Sequence, residues 1–269
     1  MRLLKLDSGG QPSLTEFIGD KIPPYAILSH TWGADGEEVT FKDITKRRGK
    51  DKTGYRKIQF CGKHAAEDDL NYFWVDTCCI DKSSSAELSE AVNSMFRWYR
   101  DAAKCYVYLA DVSVGGPMGN DTSSQQTRKS AFQHSRWFTR GWTLQELLAP
   151  TSVEFFSVEG ERLGDKGSLV QEIHKMTGIS VRALQGDPLS QFNVEERMSW
   201  AATRNTTREE DTAYSLLGIF DISMPLIYGE GWKKALIRLQ KKITKNTSQP
   251  FLEHPRPPQR HSTHECRSL

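Results

Sequence analysis

Ser135-Arg-Trp-Phe-Thr-Arg-Gly-Trp-Thr-Leu-Gln-Glu-Leu-Leu-Ala-Pro150 is the stretch on which the reading of this chain turns. Its spacing predicts a short helix that stops at Pro150. At roughly 100° per residue, Leu144, Leu147 and Leu148 share one side of that helix. Trp142 and Glu146, at i and i+4, sit together on nearly the opposite side. A large aromatic beside a carboxylate, turned away from the leucines, has two readings. The pair lines a ligand cleft or lies under a further subdomain, or else the Trp packs on a neighbouring helix and the Glu is solvated.

Upstream of this helix the pattern alternates. Tyr25-Ala-Ile-Leu-Ser29, after Pro23-Pro24, reads as a buried strand, and His30-Thr-Trp-Gly33 as the loop that follows it. Helical spacing runs from Tyr55 through Ile58, Cys61 and Ala65 to about Asp69. Tyr72 to Asp76 is a second strand candidate. Ser84-x-x-Glu87 has the capping-box pattern and opens a helix with Leu88, Val92, Met95 or Phe96, and Tyr99 inside. Cys105 to Leu109 is a third strand. The polar stretch from Ser113 to about Gln133 reads as a long insertion. Ser152 to Ser157 supplies a fourth strand, and Leu169 to Met176 a closing helix.

Strand–helix alternation of this kind predicts an α/β fold with a mainly parallel sheet and flanking helices. Beyond about Ile179 the pattern is helical only. Candidates are Glu195–Thr203, a helix capped by Thr207-x-x-Glu210 and running to Leu217, and a last helix bearing Trp232, Leu236, Leu239 and Ile243. The expected division is an α/β core over 1–179, a helical extension over 180–245 packed on it, and a disordered tail over 246–269.

Composition narrows the function. The 269 residues are 37% hydrophobic, enough for a sizeable core, and the formal net charge is only +2. The short lysine and arginine clusters lack interleaved aromatics, so nucleic acid is not an expected partner. No signal peptide or membrane-spanning run is present, so a soluble, cytoplasmic protein is expected, with its 5 Cys as thiols. Neither G-x-x-x-x-G-K-[ST] nor G-x-G-x-x-G nor G-x-S-x-G occurs, which argues against a P-loop nucleotidase, a Rossmann dehydrogenase and an α/β-hydrolase. Cys78-Cys79 are adjacent rather than C-x-x-C. His261-x-x-His264-x-Cys266 lies in a tail with no second shell to orient ligands, so no metal site is expected.

In an open parallel sheet, ligands bind beyond the carboxyl ends of the strands. The residues that follow the predicted strands are therefore the site candidates: Ser29, His30 and Trp32 after the first, Asp76 and Asp81 after the second, and Asp111 after the third. Trp142 and Glu146 on the short helix join them. Asp76 and Asp81 serve equally well as caps for the helix after Ser84. Trp32 serves equally well as a plug for the sheet end.

Four blocks of this chain resemble the fungal heterokaryon incompatibility (HET) domain. They are Tyr25–Gly33, Phe73–Asp81, Arg140–Pro150, and a discontinuous block from Arg197-Met-Ser-Trp200 through Asp211–Gly218 to Tyr228–Gly231. The resemblance is to the N-terminal domains of vegetative incompatibility proteins, which continue into NACHT and WD-repeat modules that have no counterpart here. It implies a cell-death effector of fungal non-self recognition that acts through self-association and contact with other incompatibility proteins.

HET domains are in turn similar to TIR domains, which implies a flavodoxin-like sheet. Trp142-Thr-Leu-Gln-Glu146-Leu147 resembles the TIR block that carries the catalytic glutamate of NAD-cleaving members, although Thr143 stands where many TIR proteins have Cys. This resemblance implies Glu146 as the catalytic carboxylate; Ser29, His30, Trp32, Asp76, Asp81 and Trp142, marked by their places after strands and on the short helix, are the residues expected to bind substrate. NAD would be that substrate, with no cofactor. Loss of neutral nicotinamide through an oxocarbenium-like state needs no general acid, so one carboxylate that holds the ribose hydroxyls and faces the developing charge suffices. The alternative function is a non-catalytic signalling module that recruits partners through its surface.

Overall fold

Every residue of Tyr25–His30 is buried, and this strand is the axis around which the molecule is built. The computed structural model describes residues 1–19, 21–115 and 122–247. Seven strands form one sheet: β1 (Arg2–Leu6), β2 (Pro12–Glu16), β3 (Tyr25–His30), β4 (Tyr72–Trp74), β5 (Lys104–Tyr108), β6 (Val153–Phe156) and β7 (Arg162–Asp165). Their lateral order is β2-β1-β4-β3-β5-β6-β7. The pairs β3/β4, β3/β5 and β5/β6 are parallel. Among these four, the chain's second strand lies beside its first, then come the third and fourth. That is the order with which flavodoxin-like sheets begin, and it puts the switch point between β3 and β5.

Antiparallel strands close both edges, and neither was expected from the sequence. β1 and β2 form a hairpin whose turn is held by Asp7 Oδ1, which accepts from the Gly9 and Gln11 amides at 2.9 Å. Leu3 and Leu4 are buried. β7 pairs antiparallel with β6.

The helices are α1 (Phe41–Thr45), α2 (Tyr55–Glu67), α3 (Asp76–Cys79), α4 (Ser85–Arg100), α5 (Thr122–Gln133), α6 (Thr143–Leu148), α7 (Val170–Thr177), α8 (Val181–Leu184), α9 (Val194–Ser199), α10 (Asp211–Tyr214) and α11 (Trp232–Thr247). The Tyr106 hydroxyl donates to the His64 carbonyl on α2 at 3.1 Å. The Cys105 thiol donates to the Glu146 carbonyl on α6 at 3.8 Å. Consecutive residues of β5 thus meet helices on opposite faces, as strand alternation requires.

Three sequence expectations are corrected. The insertion from Ser113 to Gln133 contains α5, anchored by buried Phe132 edge-on against Phe138 and Phe155. One tertiary anchor outweighs a composition rich in Ser and Gln. The part of that reading on residues 116–121 lies outside the described residues; of the tail expected over 246–269, residues 246 and 247 belong to α11 and the rest lies outside the described residues. The helix expected from Thr207 to Leu217 is only Asp211–Tyr214, followed by a 3-10 turn at Gly218–Phe220. Thr207 does not cap it, because its hydroxyl accepts from Arg140 Nη2 at 3.0 Å. The Glu210 carboxylate instead accepts from the Gly229 and Gly231 amides, at 2.8 and 3.1 Å. At α4 the capping box is half made. Ser84 accepts from the Glu87 amide at 3.3 Å, while the Glu87 carboxylate turns to Arg2 and to the Asp81 amide.

Candidate functional site

The residues around Glu146 fold as they do because each polar group finds a partner close in space. Ser135 opens a 3-10 turn over Arg136–Thr139, accepting from the Trp137 amide and donating to Asp111 Oδ1 at 2.7 Å. The Trp137 ring is fully buried edge-on against Phe155. Gly141 follows, where a Cβ would stand 2.5 Å from the Thr206 methyl. The absence of a side chain lets its amide reach the Asn205 carbonyl at 2.9 Å.

α6 then runs with every residue buried. Its C-terminal carbonyls are met by Lys166, whose buried Nζ donates to the Leu147 and Pro150 carbonyls at 3.3 and 2.6 Å. Burial pushes the Lys166 ammonium down to about 8. A cation at a helix C-terminus is favourable in sign, and here it also satisfies carbonyls left without intrahelical partners.

The Glu146 carboxyl points at the switch point. The Ser29 hydroxyl donates to its Oε2, and the Trp137 indole donates to Ser29 Oγ at 2.8 Å. Tyr99, from α4, donates its hydroxyl to the Leu28 carbonyl at 3.0 Å and also interacts with the carboxyl. Burial raises the carboxyl to about 8. The Ser29 hydrogen bond, Tyr99 and Arg204 act against this, and the negative charge of Asp76 acts with it. Arg204 is itself buried and lowered to about 10 by that burial. It donates to the Thr143 hydroxyl and the Arg140 carbonyl, both at 2.8 Å.

Trp142 and Glu146, expected side by side, serve different neighbours. The Trp142 indole donates to Asp211 Oδ2 at 3.1 Å, and the Tyr228 hydroxyl donates to Oδ1 at 3.0 Å. Burial raises the Asp211 carboxyl. Trp142 thus meets α10, while Glu146, solvated in one of the two sequence readings, is buried.

Ser29 and His30 are likewise divided, since consecutive strand residues face opposite ways. His30 lies buried among Glu38, Asp76 and Lys57. Its Nε2 is 3.7 Å from Glu38 Oε2 and 3.9 Å from Asp76 Oδ1. Burial and the Lys57 charge push the imidazole down to about 4, so it is neutral at physiological pH. Lys57 Nζ donates to the Thr31 carbonyl at 3.0 Å and to Glu38. Asp76 Oδ2 accepts from the Trp32 indole at 3.0 Å and from Lys82 Nζ at 3.2 Å. Although burial opposes ionisation, the Asp76 carboxyl is lowered by Lys82, His30 and Trp32. Trp32 is half exposed, and the Lys82 ammonium sits 3.7 Å above its ring.

Asp81 stands apart from this cluster. Its carboxylate caps its own turn, accepting from the Ser83 amide and hydroxyl at 3.0 and 2.6 Å. Glu38, Lys57, Lys82, Tyr99, Trp137 and Arg204 also line the two clusters; Lys82 ends the run after the second strand, Tyr99 was expected inside its helix and Trp137 lies in the block Ser135–Pro150, but none of the six was expected to bind substrate. Among the described residues no group of His, Cys, Asp and Glu is arranged to hold a metal, and no helix is long and apolar enough to cross a membrane. A cavity of about 530 Å³ lies elsewhere, between Phe132 of α5 and Leu163 of β7.

Residues 25–116 match the family model described as heterokaryon incompatibility protein (HET), a segment that runs from β3 through β5 and stops before α6. Over 247 residues the chain is 61% identical to the vegetative incompatibility protein HET-E-1 of Podospora anserina, covering 91% of this chain and 18% of that protein. It thus spans less than a fifth of the length of the curated relative it matches. No solved structure matches the chain.

Proposed function

We propose that this chain, a member of the heterokaryon incompatibility (HET) family, is a cytoplasmic effector of vegetative incompatibility in fungi that triggers cell death by cleaving NAD at Glu146. The incompatibility role is supported by the family match and by the identity to HET-E-1. The chemical step rests on one observation: a carboxyl buried beside the β3/β5 switch point, where sheets of this strand order bind their ligands.

In the proposed reaction the bond between nicotinamide and the ribose breaks and nicotinamide leaves with the bonding electron pair. Ionised Glu146 faces the positive charge left on the sugar. Water then adds to that carbon, giving ADP-ribose, and releases a proton. Because burial holds the Glu146 carboxyl up to about 8, the rate should rise with pH towards that value. The domain reading proposed with this function is a TIR-like α/β core over 1–179 and a helical part over 180–245 packed on it. Self-association is the proposed trigger.

A second reading, a non-catalytic module that acts by recruiting partners, is favoured by the same burial: Glu146 is only 7% exposed and its Oε2 is already engaged. Expression of the full chain and of its Glu146→Gln variant in fungal cells separates the two. The enzymatic reading expects killing with depletion of NAD by the wild type and neither by Glu146→Gln. Killing by both with unchanged NAD supports the recruiting module.

A further inference from the structure

Three polar atoms converge beyond the ends of β3 and β4 without bonding one another. His30 Nε2 is buried and has no hydrogen-bond partner. It points at Glu38 Oε2 and Asp76 Oδ1, at 3.7 and 3.9 Å. Each carboxylate has committed its other oxygen. Glu38 Oε1 takes the Gly33 amide at 2.8 Å and Lys57, while Asp76 Oδ2 takes Trp32 and Lys82. The inward oxygens take no hydrogen bond among the described residues, and both carboxylates are partly open to solvent, with side-chain exposures of 13% and 19%. A buried imidazole nitrogen without a partner is costly and calls for an explanation.

We infer that His30, Glu38 and Asp76 form a notch for the vicinal hydroxyls of a ribose. This inference deepens the NAD reading and rests on it for the identity of the ligand. The separations are too long for direct hydrogen bonds. Nε2 itself is closed to solvent, so a hydroxyl reaches it only as the two partly open carboxylates part, and its oxygen then bridges Nε2 and a carboxylate oxygen at roughly 2.8 Å. A hydroxyl can accept from the imidazole or donate to it, and can donate to a carboxylate. Two adjacent hydroxyls match two carboxylates.

The charges select against other occupants. Each carboxylate already has its lysine, and the imidazole is neutral, so the notch has little net charge to offer a metal ion. Two carboxylate oxygens turned inward repel a phosphate. Asp76 also follows the second parallel strand of the sheet, the place from which an acidic residue holds a ribose hydroxyl in dinucleotide-binding sheets.

The test is the affinity of the full chain for ADP-ribose, compared with two analogues that each lack the 2-hydroxyl of one of its two riboses. Wild type, Glu38→Gln and Asp76→Asn are measured by calorimetry, with folding checked by circular dichroism. Wild type should lose about tenfold in affinity for one analogue. Each variant should lose about tenfold for ADP-ribose while binding that same analogue within about twofold of wild type. A variant that weakens ADP-ribose and both analogues equally, or none of them, overturns the notch, as does an absence of ADP-ribose binding. Should Glu38→Gln fail to fold once Lys57 loses its partner, Asp76→Asn, at a more open position, carries the comparison alone.

Nicotinamide release that needs Glu146, with KM unchanged in Asp76→Asn, would refute the notch and leave NAD cleavage standing. Hydroxyl-dependent binding in a chain that releases no nicotinamide would refute cleavage and leave the notch.

Discussion

Substituting Glu146 by Gln should change how the stability of this protein depends on pH. The carboxyl is raised from 4.5 to about 8, chiefly because burial penalises its charged form. A carboxyl with a raised folded pKa contributes stability that is fully present below its unfolded value and is lost as pH rises. Between 4.5 and about 8 the folded chain holds a proton that the unfolded chain has released. The unfolding free energy therefore falls by about 1.4 kcal/mol per pH unit over that interval. From about pH 5 to pH 8 the loss is about 4 kcal/mol, after which the curve is flat.

The glutamine side chain keeps the shape and a carbonyl acceptor for Ser29 but cannot ionise. Urea unfolding of wild type and Glu146→Gln at pH 5, 6, 7, 8 and 9 isolates the effect, because every other titrating group largely cancels in the difference. Relative to Glu146→Gln, the wild type should weaken steadily from pH 5 to pH 8 and no further at pH 9. A difference that stays constant or grows with pH would show that Glu146 is ionised in the folded protein throughout, and that burial does not govern its charge.

Three other outcomes are expected. Lys166→Met leaves the Leu147 and Pro150 carbonyls without their buried donor and should cost roughly 2–3 kcal/mol; an unchanged urea midpoint would remove Lys166 from the anchoring of α6. Ser84→Ala should cost about 1 kcal/mol as a lost N-cap, and Thr207→Ala less than about half of that, since Thr207 caps nothing; equal losses in thermal unfolding would contradict the assignment. A fragment ending at residue 179 should be insoluble on expression, because it uncovers Trp142 and removes the Asn205 and Arg204 contacts that seat the start of α6; a monodisperse, folded fragment on gel filtration would show that the first 179 residues stand alone.

Periodicity and apolar runs determined the parallel part of the sheet, because these are local properties. Tyr25–His30 is apolar enough to be buried on both faces, Tyr55 to about Asp69 repeats at helical spacing, and the alternation between them leaves few topologies open. Both edges escaped that reading. The β1/β2 hairpin and β7 are short and only partly buried, so they lack the long apolar runs that mark the inner strands, and the hairpin is seated on the sheet by a partner distant in sequence, Phe73 opposite Leu4. α5 escaped for the same reason, since Phe132 is its anchor and the aromatics that receive it lie elsewhere in the chain.

The candidate site divides along the same line. Glu146 could be marked from its own block, and Ser29, His30 and Asp76 from their places after strands. Folding alone settled that Ser29 reaches Glu146 while His30 faces the other way, that Trp142 turns to Asp211, and that Asp81 serves its own turn. It also supplied Glu38, Tyr99, Trp137 and Arg204, whose roles no spacing encodes. A side chain's type and position along a strand or helix are fixed by the residues near it. Its charge state and its partners are set by the groups that folding brings within hydrogen-bond reach and by the water that folding excludes.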